Sequence, residues 1–217
     1  MDNVYYFLWV FWEAIHPRFS FLWNVFLALV PLSLSLLLFR GNSRQTLIWW
    51  VGIFIFIAFL PNSPYVLTDI SHFFARIYQD PPLPLWSIIL FSLPQYTLYL
   101  FFGFQAYVIS LTNLSNYLRY IGKQRWILPT ELLLHYLCSI GIFLGRVERF
   151  NSWELLTKPK EILAKSILDL SDYSVILSIT GAFIILSGLY RIFREFNLAI
   201  IRVWPDNILV ASVKPKN

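Results

Sequence analysis

Leu60 to His72 reads LPNSPYVLTDISH: an apolar run gives way to prolines, an amide and a hydroxyl, then to a carboxylate and an imidazole. The residues before it, from about Gln45 through Leu60, are almost wholly apolar. Trp49 and Trp50 lie near the start of that run, as the aromatic belt of a membrane span would. The run is therefore expected to cross a bilayer and to end at Pro61. Beyond it, Ser63 can cap a new helix whose first position is Pro64, because proline lacks the N–H that would be orphaned there. Tyr65, Asp69 and His72 then follow at i, i+4 and i+7, on one helical face. Two readings stay open. The stretch is either a breaker and cap at the membrane surface, with Asp69 hydrated or paired to an arginine, or a site in which Asp69 orients His72 for proton transfer or metal binding. Asp69 and His72 are the catalytic candidates of the second reading, with Asn62, Tyr65 and Thr68 as binding candidates.

Working outward, the rest of the chain alternates between spans and short polar connections. Towards the amino terminus lies FSFLWNVFLALVPLSLSLLLF, a span over about 19–39 that closes at Arg40 to Arg44 and carries Asn24 and Pro31. Such residues are tolerated where neighbouring helices satisfy them, so Asn24 reads as packing glue. The aromatic residues before it are interrupted by Glu13, His16 and Pro17 and fall well short of the roughly 20 residues a crossing needs. They suit an interfacial helix and make a poor signal peptide.

On the other side, Pro81, Pro82 and Pro84 lead to a third span over about 85–113, with a kink expected at Pro94. Gln95, Tyr99 and Gln105 are expected to bond to neighbouring helices. A fourth span, about 126–144, places Glu131 and His135 at i, i+4 at membrane depth, where a Glu–His hydrogen bond or a proton relay can form. GRVERFNSWELL follows from Gly145 to Leu156, with Arg146, Glu148, Arg149, Asn151, Trp153 and Glu154 as binding candidates; Asn151 and Glu154 have capping spacing. Surface helices are expected over about 64–76 and 152–170. A fifth span, about 173–189, contains Gly181 and Gly188 for close packing and is expected to stop at Arg191 and Arg194.

Composition agrees with this pattern. Hydrophobic residues make up 58% of the 217 and charged ones only 13%, and mean hydropathy is +0.61. A soluble domain could not hide that much apolar surface. The expected fold is all-α, a polytopic transmembrane helix bundle of about five spans plus interfacial helices, with residues 1–217 as a single membrane domain. The net charge of +5 is scattered between apolar runs, which excludes nucleic acid as a partner and reads instead as basic membrane-facing loops. With the amino terminus outside, ten of the 17 Lys and Arg residues fall on the inner face. That bias favours an inner-membrane protein with its carboxyl terminus in the cytoplasm. Both polar stretches then emerge on the outer face, where Asp69 can pair with Arg146 or Arg149.

At these residues the chain resembles a family of uncharacterised bacterial membrane proteins, domain of unknown function 1361. The resemblance covers roughly Phe21 to Arg194 and rests on Trp23–Asn24, on LPNSPYVLTDISH and on GRVERFNSWELL. Ser63, Phe150 and Glu154 depart mildly from the pattern, where Ala, Trp and Asp are common. The resemblance implies a polytopic bacterial membrane protein and supplies no activity or catalytic residue.

Phosphate-binding glycine loops, paired-histidine zinc motifs and serine-nucleophile elbows are missing from the sequence, and Cys138 is the lone cysteine. No cofactor and no metal is expected. The lipid bilayer is the expected partner, with a membrane protein partner or a homo-oligomer left open. Three functions follow, and whether the chain is an enzyme stays open among them: a non-catalytic accessory or assembly factor with a polar site at the outer face, a membrane-embedded enzyme acting on a lipid headgroup or envelope precursor, and a proton-coupled carrier using Glu131 and His135.

Overall fold

The computed structural model describes residues 2–15, 19–40, 45–78, 83–148, 157, 160 and 172–203. Every element is a helix, and no strand occurs among the described residues. Helix α1 (Asp2–Ile15) is followed by α2 (Phe19–Phe39) and α3 (Leu47–Phe59). The chain then runs through the short α4 (Asn62–Tyr65), a 3-10 turn at Val66–Asp69, and α5 (Ile70–Ile77). One turn of α6 (Leu85–Ser87) and a π-helical turn at Ile88–Ser92 lead into α7 (Leu93–Tyr120). A 3-10 turn at Gln124–Trp126 precedes α8 (Ile127–Arg146), and α9 is Tyr173–Val203. Five helical stretches are long and apolar enough to cross a membrane: Phe21–Phe39, Leu47–Ile77, Leu85–Tyr120, Gln124–Arg146 and Tyr173–Arg202. This is the fold of a multi-pass membrane protein.

Helix α7 is the centre of the bundle. It packs along α2 and also meets α4, α8 and α9, while α8 and α9 lie against each other. Phe104, Tyr107, Val108 and Leu111 of α7 are buried against Phe56 of α3 and Leu60 just after it, Leu38 of α2, Leu134 and Cys138 of α8, and Leu186 and Tyr190 of α9. Large apolar residues also cover the outside, among them Leu37, Ile48, Phe102 and Ile184, as lipid-facing surfaces require. Helix α1 is about 21 Å long, too short for a hydrocarbon core of about 30 Å. Phe7 stacks on Trp86 and Phe11 meets Phe91 edge-on, which lays α1 along the start of the third span.

Several boundaries differ from the sequence reading, each for a local reason. The second span does not end at Pro61. Leu60, Pro61, Tyr65 and Val66 all keep right-handed helical dihedrals, since proline's fixed φ suits a helix. What the prolines remove is donors. The Ser63 N–H bonds to the Leu60 carbonyl at 3.3 Å, and the Asn62 side chain supplies a bond to the Phe59 carbonyl at 2.9 Å. Ser63 is therefore not a cap: its buried hydroxyl donates to the Ala28 carbonyl of α2 at 2.7 Å, near the turn that Pro31 deprives of a donor. Nor is 64–76 wholly a surface helix, because Pro64, Val66 and Asp69 are buried and only α5 has no buried residue.

The third span continues past Asn113 to Tyr120. The turn widens to π geometry just before Pro94, whose ring would clash with the carbonyl four residues back. The fifth span runs through Arg191 and Arg194 to Val203, because arginine is a good helix former and Arg194 finds a carboxylate. Gly181 and Gly188 do not mediate close packing, since a side chain at either would meet open space. That role falls to Gly103 and Gly141. A Cβ on Gly103 would stand 2.5 Å from Val66, and one on Gly141 would stand 2.7 Å from the Pro61 ring. These two glycines let α7 and α8 close on the stretch that contains Asp69.

Candidate functional site

Asp69 ends the 3-10 turn that follows the two prolines. Tightening the helix there brings its carboxylate inward, and the residue is only 3% exposed. One oxygen, Oδ2, accepts from the Asn24 amide of α2 at 2.9 Å and from the Tyr99 hydroxyl of α7 at 2.5 Å. The other, Oδ1, faces an imidazole and a guanidinium at the rim: His72 Nε2 at 3.7 Å and Arg146 Nη1 of α8 at 3.8 Å. Their side chains are 46% and 34% exposed. Arg146 also donates to the Ser71 hydroxyl. A single carboxylate thus joins α2, α7, α8 and its own helix. A carboxylate so far from water requires partners of this kind, and here hydrogen-bond donors serve one oxygen while the Arg146 guanidinium and the His72 ring stand near the other.

The other residues singled out from the sequence fall into three groups. Asn62 and Thr68 give donors to carbonyls of their own helical stretch, Thr68 to Tyr65 at 2.8 Å. Tyr65 and Glu148 are partly buried near the same stretches. Arg149, Asn151, Trp153 and Glu154 lie outside the described residues, as does the helix expected over 152–170 apart from Thr157 and Lys160.

Glu131 and His135 form a second centre, about 24 Å away if measured along α7 from Tyr99 to Ser115. They are both buried, but they are not bonded to each other. Glu131 Oε1 accepts from Ser115 at 2.6 Å and Tyr190 at 2.9 Å, and Arg194 approaches both carboxylate oxygens at 3.2 and 3.4 Å. His135 Nδ1 instead shares a hydrogen bond of 2.6 Å with the Tyr107 hydroxyl. The i, i+4 spacing gave these two residues one face, but α7 and α9 supply each with partners of its own. Beside this centre, a cavity of about 470 Å³ opens between α8 and α9.

Other polar residues of the spans pair across helices. Gln105 and Asn197 exchange two hydrogen bonds between α7 and α9. Asn113 accepts from Arg40 and donates to Ser35, linking α7 to α2. Sequence reasoning missed Tyr99, Asn24 and Arg194 as functional partners. It had placed each in or beside a span without saying which helix it would face. No group of three or more His, Cys, Asp or Glu side chains able to hold a metal ion occurs among the described residues.

Comparison with curated proteins and with solved structures gives no match. The profile of one family does match, over residues 23–187, a range that contains Asn24, Asp69, Tyr99, Arg146 and Glu131. The chain belongs to that family, described as protein of unknown function (DUF1361).

Proposed function

We propose that this chain is a non-catalytic accessory or assembly factor of a bacterial inner membrane. In this reading the amino terminus is outside, the carboxyl terminus is cytoplasmic and the Asp69 site lies at the outer face. Its partners are the bilayer and a membrane protein or a second copy of the chain. The observation that supports the reading best is the use made of the Asp69 carboxylate. Oδ2 is held by donors from two other helices and Oδ1 stands near Arg146 of a third, so the group ties helices together, and the residue is almost wholly buried. A general base needs to reach the proton it removes.

One observation favours a second reading, an enzyme acting on a lipid headgroup or envelope precursor: His72 is nearly half exposed and stands near the same Asp69 oxygen that Arg146 approaches. A proton-coupled carrier has less support, because Glu131 is bonded to Arg194, Tyr190 and Ser115 and does not contact His135 directly. Complementation of a deletion strain separates the readings. An accessory factor predicts that His72→Gln complements fully and that Asp69→Asn complements in proportion to its folded amount in the membrane. A His72→Gln protein present at the wild-type level yet unable to complement would contradict the proposal and support the enzyme.

A further inference from the structure

The cavity beside Glu131 has a composition that the Asp69 site does not explain. Its floor is polar, with Glu131, Tyr190 and Arg194, and its walls include Ile127, Leu128 and Leu132 of α8. Leu128 and Leu132 are themselves exposed, so the cavity opens at the outside of the bundle, where acyl chains stand. Arg194 is already neutralised by Glu131. Arg191 is not: it lines the cavity, is exposed, and meets no acceptor among the described residues. The Ser187 Oγ, also on the lining, is buried without a hydrogen-bond partner among the described residues. The lining therefore offers an uncompensated positive charge and an unused hydroxyl beside apolar walls.

Depth agrees with this chemistry. Arg191 lies about 27 Å along α9 from Tyr173, close to the roughly 30 Å thickness of a hydrocarbon core. Trp126, an exposed indole at the start of α8, marks the same boundary, with Glu131 about 7 to 8 Å further in. An anion with an apolar tail is the ligand that satisfies charge, walls and depth together, and basic pockets between spans are suited to such lipids. We propose that the cavity between α8 and α9 binds the phosphate headgroup of an anionic phospholipid, with Arg191 as the cation that meets it and the acyl chains leaving past Leu128 and Leu132. The volume suits a phosphoglycerol group and lies within the range of about 300 to 1,000 Å³ usual for ligand sites. This inference does not depend on the accessory reading of the Asp69 site.

The test is native mass spectrometry of the full chain, released from detergent after incubation with phosphatidylglycerol or with phosphatidylcholine. Wild type retains phosphatidylglycerol and not phosphatidylcholine. Arg191→Gln, at an exposed position without a partner among the described residues, unfolds at the wild-type temperature but retains about tenfold less lipid, the scale of one lost charge-assisted contact. Gly188→Leu fills the open space on the cavity lining and also lowers retention, whereas Arg119→Gln, a basic position at the same end of the bundle but outside the cavity, leaves it unchanged. Equal retention of the two lipids, wild-type retention in either cavity variant, or an equal loss in Arg119→Gln would overturn the proposal. Inorganic phosphate at millimolar concentration leaves the lipid bound. Displacement by it would mean a free-anion site and would overturn the proposal too.

Discussion

Tyr99 donates into a carboxylate that is almost wholly removed from water, so its hydroxyl is worth more than an ordinary hydrogen bond. Removing it by Tyr99→Phe is expected to destabilise the protein by about 1.5 to 3 kcal/mol, the range for bonds to charged groups. Denaturant unfolding in detergent measures this, and an unchanged midpoint would mean that the hydroxyl does not serve Asp69. Arg146 should count for less. It is about a third exposed and 3.8 Å from Oδ1, so a double-mutant cycle of Asp69→Asn with Arg146→Gln is expected to return a coupling of about 1 kcal/mol or below. A coupling several times larger would mean that the two groups close into a buried pair. That Asp69 and Arg146 share one end of the bundle was legible in the order of the spans. That Asn24 and Tyr99 would be its donors was not. Helices apolar on every side carry no periodic mark of which face turns inward, and partner choice depends on that rotation.

At the level of elements, close approach rather than propensity decides where glycine matters. Gly103→Ala and Gly141→Ala are each expected to cost about 1 to 3 kcal/mol, because Val66 is fully buried and the Pro61 ring is rigid. Gly181→Ala is expected to be neutral or to stabilise by up to about 1 kcal/mol, since it meets open space within a helix. Thermal unfolding of the three variants checks the order, and a fall for Gly181→Ala matching the other two would contradict the packing described. Gly122 is a separate case. It ends α7 at φ 75°, with the Lys123 N–H on the Leu118 carbonyl and the Gly122 N–H on that of Arg119. The existence of five apolar spans was plain in the sequence, but their ends were not. Prolines with helical φ did not terminate the second span, and arginines did not terminate α9, because residues that suit helical dihedrals and have a partner or a route to water need not leave the helix.

On the scale of the molecule, the bundle has polar centres at opposite ends, Asp69 at one and Glu131 at the other, with the apolar core around Tyr107 and Phe56 between them. In the proposed topology, which rests on the charge bias of the connections, the Glu131 end lies inside. A fluorescent reporter fused after Asn217 is accordingly expected to mature, and a phosphatase active only outside the membrane is expected to be silent there. The reverse result would invert the proposed topology. The central claim is that the Asp69 carboxylate holds the bundle together rather than performing chemistry. Thermal unfolding of the full chain in detergent tests it most directly, with Asp69→Ala compared against His72→Ala. Asp69→Ala orphans the Asn24 amide and the Tyr99 hydroxyl and is expected to lower the midpoint by roughly 5 °C or more. His72→Ala, at a half-exposed rim position, is expected to stay within about 1 to 2 °C of wild type. An Asp69→Ala protein that unfolds at the wild-type temperature would contradict the account.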